Sequence, residues 1–122
     1  MSENNTASAL AKAWIDGWNA GQPDQIPLAE DFAHTSPFGT IEGREKYLEI
    51  VKPLAQKNVQ NLTIRRLLGG EGEAVIWFEM ATPNGTVAVC EWIQTNDNQI
   101  TSIHSFYDPR HLPTGTEDVG YE

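Results

Sequence analysis

The sequence predicts a single α+β domain in which N-terminal helices pack on one mainly antiparallel β-sheet. Three observations lead there. Leu10, Trp14 and Trp18 recur at helical spacing, whereas after about residue 58 the period becomes alternating. Turn signals then return at regular intervals, in "GGEGE", "TPNGT" and "TNDNQ", which is the pattern of a meander. The 122 residues suffice for one hydrophobic core and are too few for two independent ones.

The first helix carries Leu10, Trp14, Gly17 and Trp18 on one face and follows five polar residues expected to fray. It should stop at "NAGQP", with Gly21 as C-cap and Pro23 unable to continue it. In "PDQIPLAED", Pro27 limits any helix to a short or irregular turn. Phe32 to Ser36 then reads as a short strand, Pro37-Phe38-Gly39 as a turn, and Gly43-Arg44-Glu45 as the entry to a third helix. That helix is marked by Tyr47, Leu48, Val51, Leu54 and Ala55, and Pro53 should kink it or end it at Lys52. Four strands follow, "VQNLTIRRLL", "AVIWFEMA", "VAVCEWIQ" and "ITSIHSFYD", with Asn84-Gly85 the strongest hairpin signal. From Pro109 to Glu122 there is no period, so the domain spans 1–122 with 1–5 and about 110–122 as flexible tails.

Eight Lys+Arg against 17 Asp+Glu give a formal net charge of -9, a surface that repels phosphate backbones and anionic lipid. Nucleic acid and membrane are therefore not expected as partners. The first residues lack a basic n-region and an apolar h-region, and no run is long enough to cross a bilayer, so a cytoplasmic protein is expected. Cys90, the one cysteine, excludes an intrachain disulfide, and His34, His104 and His111 form no helical or strand pair that would hold a metal. No cofactor is expected.

The order helix, helix, strand, helix and curled meander resembles the cone-shaped NTF2-like fold, in its SnoaL-like and ketosteroid-isomerase-like branch. The resemblance rests on "WIDGWNAGQPDQI", "LAEDFAHTSPFGTIEGREKYLEIV", "EWIQTNDNQI" and "IHSFYDP", and covers Leu10 to Pro109. It implies helices on a strongly curved sheet, a conical pocket for a small, largely apolar carbonyl compound, and a homodimer through the outer sheet face. Trp77, Ala88 and Trp92 are the outer-face candidates.

In the ketosteroid isomerases a carboxylate base precedes the turn that "TSPFG" resembles, and Ser36 stands there. The resemblance puts Trp14 where those enzymes carry an oxyanion-stabilising tyrosine, and an indole donates one hydrogen bond without trading a proton. It puts Glu91 where a protonated aspartate donates a hydrogen bond. Alternation then sends Val87, Val89, Glu91 and Ile93 inward and Cys90 and Trp92 outward. His34 and Ser36, two apart on a strand, share a face. A carboxyl among Val89, Ile93, Phe78 and Met80 tends to stay protonated, while the His34 imidazole could serve as base near neutrality. Such a pair suits proton abstraction beside a carbonyl, the chemistry of a cofactor-free isomerase or aldol-type cyclase. Ser36, Tyr107 and Trp14 would position the ligand, with Trp18, Phe78, Met80 and Val89 lining its pocket.

Plainer roles stand beside these. His34 could satisfy a backbone group, Glu91 could pair outward with Lys or Arg, Trp14 and Trp18 could be core, and Ser36 could cap the turn. Arg65-Arg66 should place one arginine on each face, and His104 should face out. A ligand-binding or association domain without turnover is the alternative. An epoxide hydrolase of this fold needs an aspartate-arginine-aspartate set, and the closing strand offers Ser105 where one aspartate is expected.

Overall fold

In a computed structural model the backbone is described for residues 2–57, 61–82 and 85–108, and the side chains for 7–53, 61–82 and 85–108. The expected tail beyond Pro109, with His111, and the side chains of Leu54 and Ala55 lie outside the described residues. Helix α1 (Ser2–Asn19) starts within the polar stretch and buries Ala7, Leu10, Ala11, Trp14 and Ile15. It ends in a Schellman motif: Gly21 N–H donates to Trp18 O at 3.0 Å, Gln22 N–H to Gly17 O at 2.8 Å, and Gly21 takes φ 71°. A 3-10 turn (Pro23–Gln25) follows, the short irregular element that Pro27 dictates. It brings Ile26 so close to α1 that a Cβ on Gly17 would lie 2.4 Å from Ile26 Cγ1, so Gly17 is there for space.

Strand β1 (Leu28–Ser36) is longer than expected and turns through Pro37-Phe38 into β2 (Gly39–Glu42), a strand that the sequence did not announce. Four residues with one buried side chain, Ile41, are too few to show a period. Helix α2 (Arg44–Lys57) runs through Pro53, so of the two expected effects of that proline the stop at Lys52 does not occur. Pro53 and Glu49, whose carbonyl loses its helical donor, are both exposed, so water can meet that carbonyl.

The meander is β3 (Asn61–Gly70), β4 (Glu73–Thr82), β5 (Gly85–Asn96) and β6 (Gln99–Phe106). Asp97 and Asn98, with φ 53° and 63°, make a two-residue turn between β5 and β6 whose positive φ values match a twisted hairpin. Thr82 pairs with Gly85 where Asn84-Gly85 predicts a hairpin; Asn84 itself lies outside the described residues. Between Ile64 and Arg66 the register with β4 shifts, so Arg65 sits in a bulge and both arginines are exposed. One arginine per face was therefore the wrong expectation, because a bulge resets the alternation.

The strands form one six-stranded sheet in the order β2-β1-β6-β5-β4-β3, curved and antiparallel except where β1 runs parallel to β6. This closing pair brings the first strand beside the last. Both helices pack on the inner face, α1 along β3 to β5 and α2 along β1. Asn19 clamps α1 to β3, accepting from Leu62 N–H at 2.8 Å and donating to Leu62 O at 3.0 Å. Burying Phe32, Ile41, Ile76, Ile93, Ile100 and Ile103 completely supplies about 1.5–3 kcal/mol per side chain.

Candidate functional site

Alternation on β5 holds: Val87, Val89, Glu91 and Ile93 are buried, while Trp92 and Ala88 face out and Cys90 is half-buried. Glu91 pairs with Ile76 on β4 and with Ser105 on β6, so an inner row crosses three strands. The parallel register of His34 with Ile103 and Thr35 with His104 then sets His34 beside that row. The outcome is a continuous polar chain within an apolar core. Trp14 Nε1–H donates to Glu91 Oε1 at 2.7 Å, Ser105 Oγ–H donates to Glu91 Oε2 at 2.6 Å, and His34 Nε2 lies 2.8 Å from Ser105 Oγ. His34 is 7% exposed, Glu91 5% and Ser105 5%, which makes these contacts dry.

Aromatic rings close the chain off. Trp14 lies 6.0 Å from the His34 ring and stacks with Tyr47 at 6.0 Å, and Tyr47 meets His34 edge-on at 5.4 Å. Burial pushes the Glu91 carboxyl up to about 7, against the opposing pull of its Ser105 and Trp14 bonds. Burial pushes His34 down to about 4, helped by the charge of His104. The group that titrates near neutrality is thus the carboxyl and not the imidazole expected to serve as base there. The ring is neutral at pH 7 and so can accept or donate a hydrogen bond.

Ser36 accepts from Phe38 N–H at 3.1 Å, capping the turn, and its hydroxyl also bonds Tyr107. Burial pushes the Tyr107 phenol up, with the Ser36 bond acting the other way, and its ring lies 6.2 Å from Phe38. Phe78 and Val89 are buried on the inner face, whereas Met80, Trp18 and Tyr107 are half-buried and flank it. Trp14 spends its one donor on Glu91, so it has none to offer a ligand. Two participants escaped the sequence reading. The sequence shows Ser105 where an epoxide hydrolase of this fold would carry an aspartate, and its alternation with the outward His104 is the signal that it points inward; it shows Tyr47 on the apolar face of α2, and nothing in it signals the contact with His34.

A separate depression of about 480 Å³ lies between the start of β1 and the β5–β6 turn, lined by Glu30, Asp31, Asp97 and Gln99 among others. It shares no residue with the polar chain. On the outer face, Leu68, Val75, Trp77, Trp92 and Phe106 are exposed, and His104 packs on Trp92 at 5.4 Å. Among the described residues no three His, Cys, Asp or Glu side chains are grouped to hold a metal, and no helix is long and apolar enough to cross a membrane.

The family model of the SnoaL-like domain matches residues 11–103. The chain belongs to the SnoaL-like family. No curated protein matches it. Among solved structures, this SnoaL-like chain is similar to a Kribbella flavida protein provisionally assigned as a ketosteroid isomerase: 21% identity, TM-score 0.73, covering 87% of this chain and 80% of that one. It is also similar to a provisional SnoaL-like polyketide cyclase from Jannaschia, with 11% identity, TM-score 0.73, and 88% and 89% coverage. An epoxide hydrolase of the LEH-like type from M. tuberculosis aligns at 15% identity with TM-score 0.70, covering 96% and 93%. At such identities the likeness establishes the NTF2-like fold, and the activities in those names belong to those proteins.

Proposed function

We propose that this SnoaL-like protein binds a small, largely apolar carbonyl compound beside Ser36 and Tyr107 and moves a proton next to the carbonyl, as a cofactor-free isomerase or cyclase would. One observation carries the reading: two buried ionisable groups, Glu91 and His34, are pushed apart by burial and joined through a single hydroxyl. A carboxyl near 7 exchanges its proton at little cost at working pH, which is what a general acid-base needs. Trp18, Phe78, Met80 and Val89 supply apolar lining in this reading. The sequence-level roles of Glu91 and His34 shift accordingly, with Glu91 holding the proton and His34 staying neutral.

The alternative, a binding domain without turnover, is favoured by one fact: the Trp14 donor that would stabilise an oxyanion is already spent on Glu91. Solvent-exchange NMR separates the two. A panel of small cyclic ketones and enones is incubated with the protein in D2O, and loss of the proton signal beside the carbonyl is followed. At least one compound should exchange faster with the wild type, at a rate that rises with pH through about 7 as Glu91 ionises. Glu91→Gln should abolish the gain, because an amide cannot take the proton. Binding without exchange, or equal exchange with Glu91→Gln, would replace the catalytic reading by the binding one.

A second copy of the chain is the occupant we infer for the outer face. Two outer rows, His104-Trp92-Val75-Leu68 and Phe106-Cys90-Trp77, follow the strand register and place exposed aromatic rings side by side, as a self-complementary patch requires. The lone Cys90 suits a reducing, cytoplasmic setting.

A further inference from the structure

We propose that the hydroxyls of Ser36 and Tyr107 form the oxygen-binding end of the ligand site, and that this pair takes an uncharged carbonyl and refuses a carboxylate. The inference rests on the carbonyl-binding reading above and narrows its ligand class. Three things carry it: where the pair stands, the protons it holds and the charge that acts on it.

Ile103, Ser105 and Tyr107 alternate with His104 and the exposed Phe106, so they follow one another along the inner side of β6. Ile103 and Ser105 are buried and Tyr107 is half-buried, so this row opens towards solvent at its Tyr107 end. Ser36 ends β1 beside it, at the turn whose Phe38 ring lies 6.2 Å from the Tyr107 ring. A ligand entering from this end meets the two hydroxyls before it meets Ser105 and Glu91.

Ser36 and Tyr107 share one hydrogen bond, and Ser36 also accepts from Phe38 N–H at 3.1 Å. The pair holds two hydroxyl protons. If Tyr107 donates, Ser36 accepts twice and keeps its own proton; if Ser36 donates, the phenol keeps its proton. Either way one O–H is left for a third group, and among the described residues no other hydrogen bond engages these hydroxyls. A carbonyl oxygen, an acceptor without a proton, is the complement of that donor.

The charge that acts on the pair is negative. Burial first, and then the charge of Glu91, keep the Tyr107 proton in place against the opposing Ser36 bond, so a negative oxygen at this position is disfavoured. A ligand carboxylate there meets the same opposition. Among the described residues no cation offsets it: Lys12, Lys52 and Arg65 pair with carboxylates elsewhere, Arg44 donates to Leu28 O, and Lys46 and Arg66 are exposed. The His34 ring, pushed down to about 4, is neutral at pH 7. An enolate is a different case, because its charge replaces that of Glu91. As the C–H bond beside the carbonyl breaks, its electron pair passes into the enolate and the proton forms an O–H bond on Glu91. The site then holds one negative charge before and after the step, whereas a carboxylate adds a second.

Ligand-observed NMR titration at about pH 8, where Glu91 is ionised, tests the assignment with two size-matched series: acetophenone, benzoate and ethylbenzene, and their naphthalene counterparts. In at least one series the wild type should bind the ketone about five- to tenfold more tightly than the hydrocarbon, the gain from a hydrogen bond, and should not bind the carboxylate. Tyr107→Phe and Ser36→Ala should each remove most of this preference and leave hydrocarbon binding unchanged, which reports an intact site. Glu91→Gln should admit the carboxylate. Equal binding of ketone and hydrocarbon by the wild type, a preference that survives in both hydroxyl variants, a carboxylate bound as tightly as the ketone, or a carboxylate still refused by Glu91→Gln would overturn the assignment. A preference that depends on Tyr107 without proton exchange in D2O removes the proposed reaction and leaves the oxygen site. Exchange that depends on Glu91, with a ketone preference untouched in Tyr107→Phe and Ser36→Ala, removes the oxygen site and leaves the reaction.

Discussion

Relative to the wild type, Glu91→Gln should gain stability as pH rises from about 4.5 to 7, and His34→Gln should lose it as pH rises from about 4 to 6.5. The signs follow from proton uptake. Glu91 is raised from 4.5 to about 7, so in that window the folded chain binds more protons than the unfolded one, and its contribution is complete below 4.5 and lost by 7. His34 is lowered from 6.5 to about 4, so the unfolded chain binds more protons, and its contribution is complete above 6.5 and lost on acidification to 4. Each swing amounts to roughly 3 kcal/mol at ~1.4 kcal/mol per tenfold change. In the wild type they oppose each other and nearly cancel between 4.5 and 6.5. Urea unfolding across this range shows the two differences diverging; parallel curves for both variants would mean that neither group is buried as described.

Trp14→Ala should cost about 3–5 kcal/mol, the usual loss when a large buried ring leaves a cavity. The indole lies 6.0 to 6.2 Å from the rings of Trp18, Phe32, His34 and Tyr47, so its removal unpacks the contact between α1, α2 and β1. Trp14→Phe separates packing from hydrogen bonding. It keeps much of the ring but leaves Glu91 Oε1 without its donor, a further loss on the order of 1–3 kcal/mol for a buried acceptor. Because the indole bond holds the Glu91 value down, its loss raises that value beyond about 7. The added instability of Trp14→Phe should therefore grow above neutrality, where an ionised carboxylate must be accommodated. Denaturant midpoints at about pH 6 and about pH 9 test this; a loss equal at both would show that the bond does not discriminate between the two forms of Glu91.

Much of the architecture was written in short-range chemistry. Gly21 and Pro23 stop α1 where expected, the turn residues divide the meander, and the alternation of β5 places Glu91 inside and Trp92 outside. What escaped depends on pairing. The bulge at Arg65 and the short β2 are set by neighbours that a local pattern does not contain. The site divides in the same way. Spacing put His34 and Ser36 on one face and the resemblance put Glu91 inside, but only the parallel β1 and β6 contact shows that Ser105 joins His34 to Glu91. A serine has no charge or period to betray it. Nor could spacing show that Trp14 spends its donor on Glu91, or that His34 is boxed by Trp14 and Tyr47 and so loses basicity.

The most direct test of a buried carboxyl that exchanges its proton near neutrality is a carbon-13 titration of the Glu91 side-chain carboxyl in the wild type, assigned through Glu91→Gln. A midpoint near 7 is the predicted result. A midpoint at the ordinary 4.5 would contradict it and remove the acid-base role of Glu91.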